Sequence, residues 1–133
     1  LASKYLKCGN DLKGIMPFFL KDLLELKFDY NHIFVGDLGE RKKMMSEQAD
    51  FFIAMPGGIG TFDEIFEILA LQQLNRNSKP IGLLNVENFF NPFMDLLTHL
   101  ELSGFIGGRQ MKLLFLESSP SRLLKILVDN FNG

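Results

Sequence analysis

Short apolar runs alternate with longer segments of helical periodicity along this sequence, and that alternation restricts the fold more than any other feature. Runs of strand length lie at residues 13–16, 32–35, 51–55, 80–84 and 113–116. Helical patterns follow at residues 17–26, 40–49, 61–76, 91–103 and 120–131. Strands that alternate with helices in this way form βαβ units around a parallel sheet. The sequence therefore predicts an α/β fold with a central parallel sheet flanked by helices.

The third apolar run leads into a glycine-rich turn. Phe51 to Met55 is apolar throughout, which predicts a strand buried on both faces. The turn that follows contains Gly57, Gly58 and Gly60, and a helix is predicted from Thr61 to Arg76. Glycines let a ligand approach the backbone closely, and the N–H groups at a helix start attract anions such as phosphate. The alternative is a plain tight turn with Thr61 as the helix N-cap. The spacing matches neither a Walker A loop nor the dinucleotide fingerprint.

Glu64 lies three residues after Thr61 and allows two interpretations. That spacing is typical of a capping box, in which the glutamate binds the backbone at its own helix start. Alternatively, a carboxylate next to a phosphate-binding turn is placed to act on the sugar of a nucleotide. The adjacent Asp63 is expected to be a solvated acid of the first helical turn.

Arg41 is the second informative charge. It lies in the first turn of the helix predicted at residues 40–49, where the helix dipole disfavours a cation. Residues that break a local rule are candidates for function, although a surface ion pair with Glu40 or Glu47 is the alternative. Arg41 and Glu64 each begin a helix that leaves the carboxyl end of a predicted strand. Because those ends lie along one edge of a parallel sheet, we expect a single site to hold both.

Composition narrows the class of protein and its partners. The 133 residues include 14 Lys and Arg and 16 Asp and Glu, a net charge of −2, and no basic run is present. A nucleic-acid partner is therefore not expected, and a small-molecule partner is. The longest apolar run is too short for a membrane helix. The single cysteine, Cys8, with two histidines, makes a poor metal site and indicates a reducing, cytoplasmic compartment.

The beginning of the chain and the helix at residues 61–76 lead to two further predictions. Apolar residues from Leu1 to Cys8 follow a helical stripe that ends at Gly9, with no N-cap before it. We therefore expect a single domain, residues 1–133, that starts inside an element and lacks an amino-terminal strand. The helix at residues 61–76 is apolar nearly all round, which predicts that a second copy covers it in a homodimer.

Two motifs together resemble a known family. Arg41-Lys42 opens a helix, and residues 56–64 read P-G-G-I-G-T-F-D-E, which fits the pattern P-G-G-x-G-T-x-x-E. The stretch GIMP, starting at Gly14, is similar to the G-V-I-P of the same family. These residues resemble the Lonely Guy family, the cytokinin riboside 5′-monophosphate phosphoribohydrolases, which were long mislabelled as lysine decarboxylases. The similarity extends from about Gly14 to the final helix.

The resemblance implies a fold, an activity and residue roles. It implies a Rossmann-like three-layer sandwich, a homodimer, no cofactor and no metal. The implied reaction cleaves the N-glycosidic bond of a purine nucleoside 5′-monophosphate, of cytokinin or AMP type, to free base and ribose 5-phosphate. Arg41 and Glu64 would be catalytic and Lys42 would support them. The phosphate would be held by a set of backbone and hydroxyl groups: Gly57, Gly58, Gly60 and Thr61.

Two alternatives and one departure accompany this interpretation. A non-catalytic carrier of nucleotide or of the molybdenum cofactor has the same fold. A decarboxylase would need a lysine that bears pyridoxal phosphate, and no lysine here lies in a glycine-rich catalytic setting. Many family members have Met-His before the Arg-Lys pair, whereas Leu38 and Gly39 occupy those places in this chain.

Overall fold

The computed structural model describes residues 11–21 and 31–131. The chain divides into two compact units, Leu1–Gln48 and Ala49–Gly133. The helix predicted before Gly9, with Cys8, lies outside the described residues, as does the second half of the helix predicted at residues 17–26. The prediction of a single domain stays a prediction.

The first unit contains two parallel strands and one helix among its described residues. Strand β1 (Lys13–Pro17) pairs with β2 (Asn31–Val35), and Ile15 lies opposite Ile33. A short 3₁₀ turn, Phe18–Leu20, follows β1 where the sequence predicted the start of a helix. Helix α1 (Leu38–Gln48) packs against both strands. These elements place the start of α1 beside the backbone of β1.

The second unit is built around a three-stranded parallel sheet of order β3-β4-β5. Its elements in chain order are β3 (Phe52–Ala54), α2 (Ile59–Gln73), β4 (Ile81–Leu84), a 3₁₀ turn (Val86–Asn88), α3 (Asn91–Leu102), the short helix α4 (Gly108–Lys112), β5 (Leu114–Glu117) and α5 (Pro120–Phe131). Pro120 begins α5, as its fixed φ favours at the first position of a helix.

Helices cover both faces of this sheet. On one face, Ile81 and Leu83 of β4 belong to a buried cluster with residues of α2 and α3. On the other face, a Cβ added to Gly82 would lie only 2.9 Å from Leu123 Cδ1 and 2.8 Å from Leu127 Cδ1 of α5. The absence of a side chain at Gly82 is therefore what lets α5 pack directly on β4. Helix, sheet and helix form three layers.

These observations confirm the predicted Rossmann-like α/β fold. All strand pairs among the described residues are parallel, and helices lie on both faces of the second unit's sheet. The prediction that β3 is buried on both faces is wrong, because the Ile53 side chain is 46% exposed. β3 is an edge strand of the second unit's sheet, and α5 covers β4 and β5 rather than β3.

Both site helices begin two residues earlier than the sequence predicted. α1 begins at Leu38 rather than residue 40, and α2 begins at Ile59 rather than Thr61. Each helix includes a glycine as its second residue, Gly39 and Gly60, and the low helix propensity of glycine is why the sequence pattern placed both starts later. Within residues 11–21 and 31–131, no helix is long and apolar enough to span a membrane.

Candidate functional site

The glycine turn between β3 and α2 ends in a helix start without a side-chain cap. Gly58 is the N-cap residue, with an extended backbone (φ −89°, ψ −160°), and no side chain caps this helix end. The N–H of Thr61 donates to the carbonyl oxygen of Gly58 at 3.0 Å. Residues 55–60 are all exposed. An exposed helix start of this kind presents backbone N–H groups and the positive end of the helix dipole to an anion.

The start of α2 at Ile59 bears on one of the two interpretations of Thr61 and Glu64, the capping box. Thr61 is the third residue of α2, so it is not the N-cap. Glu64 is the sixth residue, which is too far along the helix for a capping box with Thr61. It is half-buried and lies one helical turn beyond Gly60, on the same side of α2. Thr61 and Glu64 therefore do not form a capping box at the start of α2, and the catalytic role of Glu64 stays a prediction.

The three glycines of the turn differ in what surrounds them. A Cβ added to Gly57 would lie 2.3 Å from Thr61 Oγ1 and 3.3 Å from Thr61 Cβ. Gly57 therefore leaves room for the Thr61 hydroxyl against the turn. Added Cβ atoms at Gly58 and Gly60 would meet no atom within 4 Å. Packing thus requires one glycine, whereas the other two face open space.

The start of α1 contains a capping arrangement that the sequence analysis missed. Asp37 Oδ1 accepts the N–H of Glu40 at 2.8 Å, and Glu40 Oε2 accepts the N–H of Gly36 at 2.6 Å. The N–H of Arg41 donates to the carbonyl oxygen of Asp37 at 3.2 Å, which begins the helix. The D-x-x-E spacing of Asp37 and Glu40 was the signal that could have revealed it.

Arg41 is anchored on the neighbouring strand. Its Nε donates to the carbonyl oxygen of Ile15 in β1 at 3.1 Å, and the residue is half-buried. Glu40, one of the two ion-pair partners considered for Arg41, binds the backbone N–H of Gly36. The hydrogen bond to Ile15 fixes the Nε side of the Arg41 guanidinium against β1. Lys42, the next residue, is also half-buried.

The structure therefore places the predicted residues in two groups. The glycine turn, Thr61 and Glu64 lie together at the start of α2 in the second unit, and Arg41 and Lys42 lie at the start of α1 in the first unit. Each group follows the carboxyl end of a strand, as predicted from the sequence.

Glu117 ends β5 and joins it to the start of α5. Its Oε1 accepts hydrogen bonds from the N–H of Ser119 at 2.9 Å and from Arg122 Nη2 at 3.0 Å. The hydrogen bond from the Ser119 backbone is the main cause that lowers the pKa of this carboxyl, and the charge of Arg122 adds to it. The Glu117 carboxylate is therefore ionised at neutral pH and accepts hydrogen bonds from the residues that connect β5 to α5.

Comparison with known proteins shows the family to which the chain belongs. The model of a family described as "Possible lysine decarboxylase" matches residues 1–127. The chain belongs to this family. It is the Lonely Guy family indicated by the Arg41-Lys42 pair and the glycine turn.

Named relatives within the Lonely Guy family come from plants. A probable cytokinin riboside 5′-monophosphate phosphoribohydrolase of Oryza sativa subsp. japonica is 37% identical over 129 residues, which is 94% of this chain and 56% of the relative. A second from the same rice is 39% identical over 95 residues, 71% of this chain and 39% of the relative. A cytokinin riboside 5′-monophosphate phosphoribohydrolase of Arabidopsis thaliana is 36% identical over 97 residues, 73% of this chain and 46% of the relative. The chain spans between about two fifths and a little over half of the length of these relatives.

Proposed function

We propose that this protein is a hydrolase that cleaves the N-glycosidic bond of a purine nucleoside 5′-monophosphate, releasing free base and ribose 5-phosphate. The observation that carries the proposal is the helix start without a side-chain cap at Gly58–Thr61, with Glu64 one turn along the same helix. Membership of the Lonely Guy family and the names of its plant relatives support the same reaction.

The proposed phosphate site is the glycine turn. The open space beside Gly58 and Gly60 gives a phosphate room to reach the first N–H groups of α2. The Thr61 hydroxyl, held against Gly57, would donate a further hydrogen bond. A phosphate bound here would fix the position of the ribose relative to Glu64.

The proposed chemistry follows from the charge that develops on the sugar. As the bond between C1′ and the base nitrogen breaks, its electron pair leaves with the base and the ribose becomes positively charged. The Glu64 carboxylate would stabilise that charge and orient the water whose oxygen bonds to C1′. The proton lost by the water ends on the base. Arg41, held by β1, would bind the substrate or the departing base.

The proposal also concerns which base the substrate carries. The plant relatives are named for cytokinin riboside 5′-monophosphates, and we propose this substrate class, or the related AMP, for this chain. The difference at Leu38 and Gly39, which replace the Met-His of many members, makes a panel of monophosphates the informative assay.

Glu64→Gln tests the proposal directly. The protein, expressed with its complete natural chain, is incubated with AMP and with isopentenyladenosine monophosphate, and released base is measured by chromatography. Glu64→Gln should lower kcat by about 10²-fold to 10⁴-fold, because the neutral amide neither stabilises the charge nor accepts a proton. Glu67→Gln is the matched control: Glu67 is also half-buried, lies three residues further along α2, and should keep activity within about twofold.

The outcomes separate the enzyme from a carrier. Release of base that is undiminished in Glu64→Gln would overturn the role of Glu64. Binding of nucleotide or pterin without any release of base would favour the non-catalytic carrier. If Arg41 and Glu64 serve one reaction, the double substitution Arg41→Ala with Glu64→Gln should lose less than the product of the two single losses.

We further propose a homodimer that uses α2. The exposed apolar side chains on this helix and at its C-cap include Phe66, 41% exposed, and Leu74, 69% exposed. Covering them against a second copy would remove that surface from water. Sedimentation at micromolar concentration should give the mass of a dimer, and a monomer would refute this proposal.

A further inference from the structure

Asn85 is a buried polar residue at the carboxyl end of β4 for which the proposed reaction gives no role. It is 8% exposed, and its N–H donates to the carbonyl oxygen of Glu117 at 2.9 Å. Its Oδ1 accepts the N–H of Phe90 at 2.8 Å, and its Nδ2 donates to Asn91 Oδ1 at 2.9 Å. One side chain therefore closes the segment 86–89 and fixes the first residues of α3.

The segment that Asn85 closes has an unfavourable backbone. Glu87 (φ 50°) and Asn88 (φ 61°) are consecutive residues in the left-handed region, which L-residues with side chains adopt only at a cost. Such a conformation persists where surrounding contacts hold it. Both side-chain hydrogen bonds of Asn85 join the residue before the segment to the residues after it, Phe90 and Asn91, and they supply such contacts.

The segment in turn packs against the start of α2. The Phe62 ring centroid lies 6.0 Å from that of Phe90, 6.2 Å from that of Phe89 and 5.3 Å from that of Phe93. Phe62 directly follows Thr61, whose hydroxyl lies against Gly57. No side chain caps this helix start, and the aromatic contacts of Phe62 are the packing contacts that lie within its first turns.

We propose that Asn85 is a positioning residue for the phosphate-binding turn. It fixes Phe89 and Phe90, these rings fix Phe62, and Phe62 fixes the backbone N–H groups of the first turn of α2. Phosphate would be the ligand of that turn, so this inference rests on the proposed function. The geometry of anion binding to backbone groups is strict, and a displacement of about 1 Å is enough to lose much of the affinity.

Two pairs of variants test this inference in the protein with its complete natural chain. Asn85→Ala removes both side-chain hydrogen bonds, and Phe62→Leu removes the ring contacts. Asn77→Ala is the control for Asn85: Asn77 is 9% exposed, accepts the N–H of Lys79 at 2.8 Å, and precedes β4 instead of following it. Phe66→Leu is the control for Phe62, since Phe66 also contacts Phe93, at 5.4 Å, but lies one turn further along α2.

The readout is the dissociation constant of ribose 5-phosphate, measured by titration calorimetry, with adenine as the ligand that lacks phosphate. Asn85→Ala and Phe62→Leu should each weaken ribose 5-phosphate binding on the order of tenfold and leave adenine binding unchanged. Asn77→Ala and Phe66→Leu should change neither constant by more than about twofold. Phe62→Leu keeps the test decisive if Asn85→Ala does not fold.

Failure of this inference is distinguishable from failure of the proposed function. If the unsubstituted protein binds ribose 5-phosphate and Asn85→Ala or Phe62→Leu binds it equally well, only the positioning role is refuted. If the unsubstituted protein binds neither ribose 5-phosphate nor a nucleoside monophosphate, the proposed function fails and this inference fails with it.

Discussion

The glycines of the turn before α2 should respond to alanine substitution in two opposite ways. In Gly57→Ala the new Cβ would lie 2.3 Å from Thr61 Oγ1, so the two atoms must separate by about 1 Å to reach ordinary contact. Thr61 has few allowed rotamers in a helix, and its own Cβ would be only 3.3 Å from the new atom. Overpacking of this kind costs about 1–3 kcal/mol of unfolding free energy.

Gly58→Ala and Gly60→Ala should behave differently, because an added Cβ meets no atom within 4 Å at either position. Gly58→Ala should change stability by less than about 0.5 kcal/mol. Gly60→Ala should increase it by less than about 1 kcal/mol, since Gly60 lies in the first turn of α2 and alanine is the better helix former. Both methyl groups would nevertheless occupy the space that we assign to the phosphate, so both variants should bind ribose 5-phosphate at least about tenfold more weakly.

Urea unfolding and titration calorimetry on the same samples separate stability from binding. Thr61→Ala removes the crowded hydroxyl, and in combination with Gly57→Ala it should restore most of the stability lost by Gly57→Ala alone. The reasoning is refuted if Gly57→Ala is as stable as Gly58→Ala, or if Gly60→Ala binds ribose 5-phosphate as tightly as the unsubstituted protein.

Substitutions at three further positions test the packing of α5 and the starts of α1 and α5. Gly82→Ala should lower the unfolding free energy by about 1–3 kcal/mol, because the new Cβ would crowd Leu123 and Leu127; an unchanged urea midpoint would contradict the described packing of α5. Asp37→Ala should cost about 1 kcal/mol through loss of the cap on α1, measured in the same way, and Asp37→Asn should retain most of the stability. The lowered pKa of Glu117 means that its carboxylate stabilises the fold above the usual glutamate pKa of about 4.3, and that this contribution is lost as the pH falls below it. The stability difference between the unsubstituted protein and Glu117→Gln should therefore be constant above about pH 5 and shrink towards pH 3, and a difference independent of pH would contradict the assignment.

Much of the fold could be predicted because its signals are local. The strands at residues 32–35, 80–84 and 113–116 and the helices that begin at Asn91 and Pro120 lie close to their predicted positions. The burial of β3 could not be predicted in the same way, since an apolar run does not reveal whether a strand is central or at an edge. The order of the second unit's sheet decides that, and it places β3 at an edge.

The candidate site, like the fold, was predicted from the sequence only in part. The sequence located the glycine turn, Arg41 and Glu64, because each stands at a recognisable junction of strand and helix. It could not decide between a capping box and a free helix start at Thr61, since both fit the T-x-x-E spacing. The start of α2 at Ile59 decided it, and the actual capping arrangement lies at Asp37 and Glu40.

Sequence by itself determined the α/β class, the parallel pairing and the family motifs, because hydrophobic periodicity and glycine spacing are properties of neighbouring residues. Tertiary structure alone decided what holds the site residues. Arg41 binds the carbonyl oxygen of Ile15, 26 residues earlier in the chain, and Phe62 packs on rings that follow the next strand. Contacts between residues so far apart depend on how the strands and helices pack, which no local pattern specifies.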